Sequence, residues 1–171
     1  MHLTITSKAI PDNLSEIALK VSLDEDFEIN VDEVINSVDE NVKLIFICSP
    51  NNPTGNLLID EPALVGLLER YPSSTFWLDE AYVQYLDPAE HQPMSSLVVD
   101  HPNLLVSRTF SFAYGLAGAR IGYLLAAPER IEGFIGQVTD YRLGCLQEAL
   151  AIAAWKLDDL TLKLSKMNGS H

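Results

Sequence analysis

The chain has 171 residues and a formal net charge of −13, because 11 Lys and Arg face 24 Asp and Glu. Hydrophobic residues make up 47% of the chain, which excludes a wholly disordered protein and predicts one globular domain. The acidic balance argues against nucleic acid as a partner, and no apolar run approaches the roughly 18 residues of a membrane span.

The first part of the chain is strongly acidic. Residues 12–40 hold ten acidic side chains and one basic one. We interpret this stretch as a solvated surface rather than a docking site for a basic partner. Within it, residues 21–24 predict a short strand. Asn30 predicts a helix N-cap, with Glu33 three residues later.

From residue 43 onward, strands alternate with helices. The predicted strands are 43–48, 75–78, 103–106 and 121–126. The predicted helices are 62–70, with Asp60 as N-cap, 129–138 and 145–164. The first strand is a continuous apolar run, which predicts cover on both of its faces. The alternation predicts an α/β fold with a mostly parallel sheet and flanking helices.

Polar segments follow the first three of these strands, and ligands of open α/β sheets bind beyond the carboxyl ends of strands. The first segment, 49–55, reads Ser-Pro-Asn-Asn-Pro-Thr-Gly. Pro53 restricts Asn52 to extended geometry and Gly55 permits positive φ, so this turn can hold the Asn52 amide toward a ligand. A plain surface loop is the alternative.

The second and third segments carry charged and hydroxyl groups. Asp79 is placed to meet a cationic ring nitrogen, with Tyr82 three residues on, although Asp79 as a helix cap is the alternative. Segment 107–120 reads Ser-Arg-Thr-Phe-Ser-Phe-Ala-Tyr-Gly-Leu-Ala-Gly-Ala-Arg. Its hydroxyls, glycines and Arg120 suit a phosphate, whereas a glycine-rich surface loop is the alternative.

In this order, the three segments closely resemble motifs of the fold type I pyridoxal-phosphate aminotransferases, and most closely the histidinol-phosphate aminotransferases. The resemblance covers about residues 20–160. It implies pyridoxal 5'-phosphate as cofactor and amino transfer between an amino compound and a 2-oxo acid. It also implies that Asn52 and Tyr82 bond the phenolic oxygen of the cofactor and that Asp79 pairs with the pyridine nitrogen. Ser111 and Arg120 would hold the phosphate, and the Asn52–Pro53 bond is a candidate cis bond.

The chain departs from the family pattern at Phe112. The family has lysine there, which forms the Schiff base with the cofactor and then moves the proton. Phenylalanine does neither, so we assign no catalytic residue and expect weak, non-covalent cofactor binding. The family also has further residues before and after the matched region. We therefore expect one partial large domain, with an acidic lead-in at about 1–40, a core at about 41–159 and the start of a connecting helix at 160–171.

Two functions remain open. The first is the cofactor-binding core of a histidinol-phosphate-type aminotransferase that is not competent alone. The second is a non-catalytic pseudoenzyme or remnant that acts as a binding or interaction module. Uncovered sheet edges favour a homodimer, as in the family. Two distant cysteines without a zinc spacing, four scattered histidines and no secretory pattern predict a cytoplasmic protein without a metal.

Overall fold

The computed structural model describes residues 2–3, 21–23, 25, 29–39, 42–89, 91–135 and 143–168. The strands are β1 (His2–Leu3), β2 (Val21–Ser22), β3 (Leu44–Cys48), β4 (Thr75–Asp79), β5 (Leu104–Thr109) and β6 (Gly122–Ala126). The helices are α1 (Val31–Ser37), α2 (Glu61–Arg70), α3 (Pro128–Ile135) and α4 (Cys145–Asn168). Short 3₁₀ turns lie at Val83–Tyr85, Met94–Val99 and Ala117–Ala119.

The main sheet has the strand order β3-β4-β5-β6. Strands β3, β4 and β5 are parallel, whereas β6 runs antiparallel to β5. The predicted α/β fold with a mostly parallel sheet is confirmed. Gly122 begins β6, where a Cβ atom would lie 2.9 Å from the Arg108 carbonyl oxygen, so the close approach of β6 to β5 requires glycine there.

One face of this sheet forms the hydrophobic core with α2. Leu64 and Leu67 of α2 are buried there with Phe76 of β4. The helix begins as predicted, because the Asp60 carboxylate accepts a hydrogen bond from the Ala63 N–H at 2.9 Å.

The other face of the sheet is only partly covered. Leu44 is 38% exposed, and Phe46 and Trp77 are half-buried. The prediction that the first strand is covered on both faces is therefore wrong for the described residues. Its side chains alternate between two environments, because Ile45 and Ile47 point to the core and their neighbours point away.

The remaining elements agree with the predicted ones in part. Asn30 caps α1 through the Glu33 N–H at 3.1 Å, and β2 confirms the short strand, which pairs with the unpredicted β1. The last residues of the predicted helix 129–138 lie outside the described residues. Helix α4 extends from Cys145 to Asn168, and the division of the one domain into lead-in, core and connecting helix stays a prediction. In the described part of the chain, no helix is long and apolar enough to cross a membrane.

Candidate functional site

Backbone hydrogen bonds beyond the strand ends bring the polar segments to one edge of the sheet. The Ser49 N–H donates to the Asp79 carbonyl oxygen at 3.1 Å. The Glu80 N–H donates in the same way to the Ser107 carbonyl oxygen at 2.9 Å. The ladder that aligns β3, β4 and β5 therefore continues into the three segments and sets their positions relative to each other.

The segment after β3 is a compact turn. The Asn52–Pro53 bond is cis, as expected, and the Ser49–Pro50 bond is also cis. Gly55 has φ of +81°, which only glycine adopts at low cost. The Asn51 N–H donates to the Asn56 carbonyl oxygen at 2.9 Å and closes the turn. The turn thus holds Asn52 at the open end of the sheet.

Asn52 and Tyr82 meet at this edge, although 30 positions separate them. The Asn52 side-chain amide donates to the Tyr82 hydroxyl at 2.7 Å. Both residues line a cavity of about 290 Å³, together with Pro53 and Tyr85. A volume of this size is close to that of small-ligand sites in proteins. The two side chains are therefore placed to act on one ligand.

The Asp79 carboxylate is oriented by a chain of hydrogen bonds on the partly covered face. The Ser107 hydroxyl donates to Asp79 Oδ1 at 2.9 Å, and the Trp77 indole N–H donates to Ser107 Oγ at 2.8 Å. Burial raises the pKa of Asp79 above its ordinary value, against the opposing hydrogen bonds from Ser107 and the Ala81 N–H. A cationic partner stabilises the charged form of a carboxylate that is buried in this way.

Cys48 ends β3 and pairs with Asp79 in the register of β3 and β4. Burial raises the pKa of the Cys48 thiol, the Asn52 backbone N–H lowers it and the Asp79 charge raises it. Both residues are thus close enough to Cys48 to influence it. Asp79 is not among the residues that line the cavity of Asn52 and Tyr82, and the expectation that the Asn52 and Asp79 side chains share one cleft stays a prediction.

Ser111 and Arg120 are both held by contacts within their own loop. The Ser111 N–H donates to Thr109 Oγ1 at 3.0 Å, and the two hydroxyl oxygens lie 2.9 Å apart. Arg120 adopts a left-handed backbone with φ of 56°, and its guanidinium donates to the Ala117 carbonyl oxygen at 3.1 Å. Their predicted shared role in holding a phosphate stays a prediction.

Phe112 covers Tyr82. The two rings are stacked, with centroids 4.6 Å apart and an angle of 18° between their planes. Phe112 is 44% exposed, so part of its ring faces solvent. It places an aromatic ring, with no group that can react or titrate, beside the Asn52–Tyr82 pair.

A buried ion pair beneath the site was not predicted from the sequence. Glu80 is 1% exposed and accepts two hydrogen bonds from Arg108, at 2.9 and 2.6 Å. Its second oxygen accepts from the Met94 N–H at 2.8 Å. The sequence did contain a signal for this pair. Glu80 follows Asp79 and Arg108 follows Ser107, so opposite charges occupy matching positions on neighbouring strands.

Comparison with known proteins identifies the family. The model of the aminotransferase class I and II family matches residues 13–168. The chain belongs to the class I and II aminotransferases. This family is dependent on pyridoxal phosphate, and the resemblance seen in the three motifs is confirmed.

Two curated relatives illustrate how much of an aminotransferase is present. The histidinol-phosphate aminotransferase of Staphylococcus carnosus is 36% identical over 154 residues, which are 90% of this chain and 43% of the relative. The aromatic amino acid aminotransferase of Rhodococcus erythropolis is 40% identical over 140 residues, 81% of this chain and 38% of the relative. The chain spans less than half the length of these relatives.

Solved aminotransferase structures share the fold. The histidinol-phosphate aminotransferase from Sinorhizobium meliloti, in complex with pyridoxal-5'-phosphate, superposes with a TM-score of 0.69 and 32% identity. The match covers 84% of this chain and 40% of that structure. A putative histidinol-phosphate aminotransferase from Erwinia carotovora gives a TM-score of 0.70 at 20% identity, over 78% of this chain and 40% of that one.

We predict that Asp79→Asn stabilises the unliganded chain at neutral pH. Because the pKa of Asp79 is raised on folding, the folded chain binds this proton more tightly than the unfolded chain. The Asp79 contribution to stability therefore falls as pH rises from the ordinary carboxyl range through the raised pKa. Urea unfolding at several pH values should show this fall in the parent and a smaller one in Asp79→Asn. Asp100→Asn, at an exposed position, is the control and should keep the parent profile.

Proposed function

We propose that this chain is the cofactor-binding core of an aminotransferase of the histidinol-phosphate type. In this proposal it binds pyridoxal phosphate without a covalent bond and does not transfer amino groups by itself. The observation that carries the proposal is the Asn52–Tyr82 hydrogen bond, with Asp79 at the end of β4 three residues before Tyr82 and Phe112 stacked over Tyr82. The relatives named for histidinol phosphate support the substrate class.

The residues of the cleft fit the ring of pyridoxal phosphate. Asn52 and Tyr82 present an amide and a hydroxyl at the same place, which suits a bond to an oxygen on the ring. Asp79 presents a half-buried carboxylate already oriented by Ser107, which suits a protonated ring nitrogen. When bound, the cofactor supplies an electron-withdrawing ring that stabilises negative charge on the substrate carbon. Asp79 would maintain that property by keeping the ring nitrogen protonated.

The side chain at position 112 cannot take part in covalent catalysis. A lysine amine at this place would both attach the cofactor and move a proton at the substrate carbon. The Phe112 ring does neither. Among the described lysines, Lys43 precedes β3, at the opposite end of the strand from the site. A strand of this length spans roughly 16 Å, which is beyond the reach of a lysine side chain.

The proposal is tested with pyridoxamine phosphate, which carries the ring and the phosphate but no aldehyde. It therefore reports only non-covalent contacts and does not react with surface lysines. Equilibrium dialysis of the full chain should show saturable binding. Asp79→Asn should weaken it roughly ten-fold or more, because a charge-assisted hydrogen bond is lost. Asp100→Asn should bind as the parent does.

Two results would contradict this function. The first is the absence of saturable binding to a chain that is folded by circular dichroism. The second is equal affinity of the parent and Asp79→Asn, which would mean that Asp79 does not face the bound ring. Either result would favour the alternative of a module without a cofactor.

We also propose that the chain self-associates. Large apolar side chains stay exposed on both late helices, such as Ile135 at 64% on α3 and Leu146 at 69% on α4. Exposed apolar surface of this kind favours association. Sedimentation velocity should show a dimer in the micromolar range. Leu146→Lys should shift the equilibrium toward the monomer, and a monomer at all concentrations in the parent would refute the proposal.

A further inference from the structure

Trp77 is connected to the Asp79 carboxylate through one intervening side chain. Trp77 and Asp79 are two positions apart on β4, so their side chains lie on the same face of the sheet. Ser107 of β5 stands opposite Asp79 in the parallel register. The Trp77 indole N–H donates to Ser107 Oγ at 2.8 Å, and the Ser107 hydroxyl donates to Asp79 Oδ1 at 2.9 Å. The three side chains therefore form one continuous chain of hydrogen bonds.

The chemistry of the three groups fixes the direction of this chain. An indole N–H only donates, an ionised carboxylate only accepts, and a hydroxyl does both. The Trp77 N–H occupies the side of Ser107 Oγ that faces the indole. The hydroxyl proton of Ser107 therefore points away from the indole and toward Asp79. Without the indole N–H, the Ser107 hydroxyl is free to rotate away from the carboxylate.

Both Trp77 and Ser107 are held in position by other contacts. Phe46 on β3 meets the Trp77 indole edge to face, with ring centroids 5.9 Å apart and 64° between the planes. The Ser107 backbone is fixed because its carbonyl oxygen accepts the Glu80 N–H at 2.9 Å. The freedom that remains to Ser107 is rotation of its side chain, and the indole N–H restricts that rotation.

The charge of Asp79 depends on hydrogen bonds rather than on a neighbouring cation. Burial raises the pKa of Asp79, and the hydrogen bond from Ser107 opposes this effect. On β3, the Cys48 thiol opposite Asp79 is neutral at neutral pH, because burial raises its pKa. On β5, the Arg108 guanidinium is engaged by Glu80. The orientation of the Ser107 hydroxyl thus directly affects how much of Asp79 is charged.

We propose that Trp77 is a positioning residue for Asp79. Its indole N–H directs the Ser107 hydroxyl to the carboxylate, which keeps Asp79 charged and oriented for a ligand ring that carries a protonated nitrogen. The site thereby selects a pyridinium ring over a ring of the same shape with carbon in place of the nitrogen. The identity of the ring rests on the proposed function, whereas the contacts to Asp79 exist in the unliganded chain.

The first test needs no cofactor. NMR of the full chain, labelled with ¹³C at its aspartate carboxyl groups, follows the titration of Asp79, whose resonance is the one lost in Asp79→Asn. Ser107→Ala should raise the midpoint, because it removes a hydrogen bond to the charged form. Trp77→Phe should raise it by less, since the hydroxyl is still present. Trp155→Phe makes the same change at the exposed tryptophan of α4 and should leave the midpoint unchanged.

The second test measures the selection of the ring. Equilibrium dialysis compares pyridoxamine phosphate with its 1-deaza analogue, in which carbon replaces the ring nitrogen. The parent should prefer pyridoxamine phosphate roughly ten-fold or more. Trp77→Phe should reduce this preference on the order of three-fold and leave the affinity for the analogue unchanged. A general loosening of the site would weaken both ligands alike, and that result would overturn the proposal.

A double variant shows whether Trp77 acts through Ser107. Once Ser107→Ala has removed the hydroxyl, adding Trp77→Phe should change neither the titration midpoint nor the preference. Full additivity of the two changes, or a parent-like midpoint in Trp77→Phe, would also overturn the proposal. If Trp77→Phe does not fold by circular dichroism, site-specific benzothienylalanine at position 77 replaces it, because sulfur removes the N–H and keeps the ring size. If neither ligand binds, the proposed function fails, and the titration of the unliganded chain still decides the role of Trp77.

Discussion

Phe112→Lys is expected to give the chain a covalent bond to pyridoxal phosphate that the parent does not form. The Phe112 ring lies on Tyr82, beside Asn52, so an amine introduced there enters the proposed cofactor cleft. Because Phe112 is 44% exposed, the flexible lysine can be accommodated. Loss of the ring stack should cost only about 0.5–1.5 kcal/mol of stability. Borohydride reduction followed by peptide mass spectrometry should find the cofactor on the peptide that contains position 112, at close to one per chain.

Phe134→Lys is the matched control for this gain. Phe134 is 43% exposed, nearly the same as Phe112, but it lies on α3, outside the cofactor cleft. A lysine there should be labelled no more than the other surface lysines. Equal labelling at the two positions would mean that the cleft does not concentrate the cofactor near Phe112. Amino transfer should stay undetectable in both variants, because the chain spans less than half of its relatives.

The second large effect is expected from Arg108→Leu, which leaves Glu80 buried without its cationic partner. The Glu80 side chain is 1% exposed and that of Arg108 is 13% exposed, so water does not replace the lost contacts. Breaking a buried pair in this way costs about 3–5 kcal/mol, a large share of the roughly 5–15 kcal/mol that stabilises a typical domain. Urea unfolding should show the loss directly as a lower midpoint.

A second change on the Arg108→Leu background identifies the cause. Adding Glu80→Gln should recover much of the lost stability, because the neutral amide still accepts from the Met94 N–H and no charge is buried. Arg130→Leu is the surface control. Arg130 is exposed and donates to the Pro102 carbonyl oxygen, so its loss should cost less than about 1 kcal/mol. A cost below about 1 kcal/mol for Arg108→Leu would contradict a buried pair.

The sequence predicted the strands of the sheet and the points where they end, because these features depend on local patterns. Buried strands appear as short apolar runs, and the polar residues that follow them mark the carboxyl ends of the strands. Asn52, Asp79 and Ser111 accordingly stand at or just beyond the carboxyl ends of β3, β4 and β5, whereas their joint role at one ligand stays a prediction. Helix starts were also predictable, since Asp60 and Asn30 act through hydrogen bonds only three residues away.

The features that were not predicted depend on contacts between distant elements. The Glu80–Arg108 pair joins residues 28 positions apart, and the Phe112–Tyr82 stack joins residues 30 apart. The strand at Leu44 looked covered on both faces because apolar composition does not show how much of the sheet other elements cover. Apolar runs of this type are typical of buried strands, whereas here one face stays partly open.

Borohydride reduction of the unmodified chain with pyridoxal phosphate tests the central claim most directly, because it asks whether any lysine replaces the one absent at Phe112. Peptide mapping then covers all six lysines, which are Lys8, Lys20, Lys43, Lys156, Lys163 and Lys166. The account predicts partial labelling spread over several lysines, with no protection by pyridoxamine phosphate. Labelling of a single lysine at one per chain, abolished by pyridoxamine phosphate, would show that another amine has taken the catalytic position and would contradict the account.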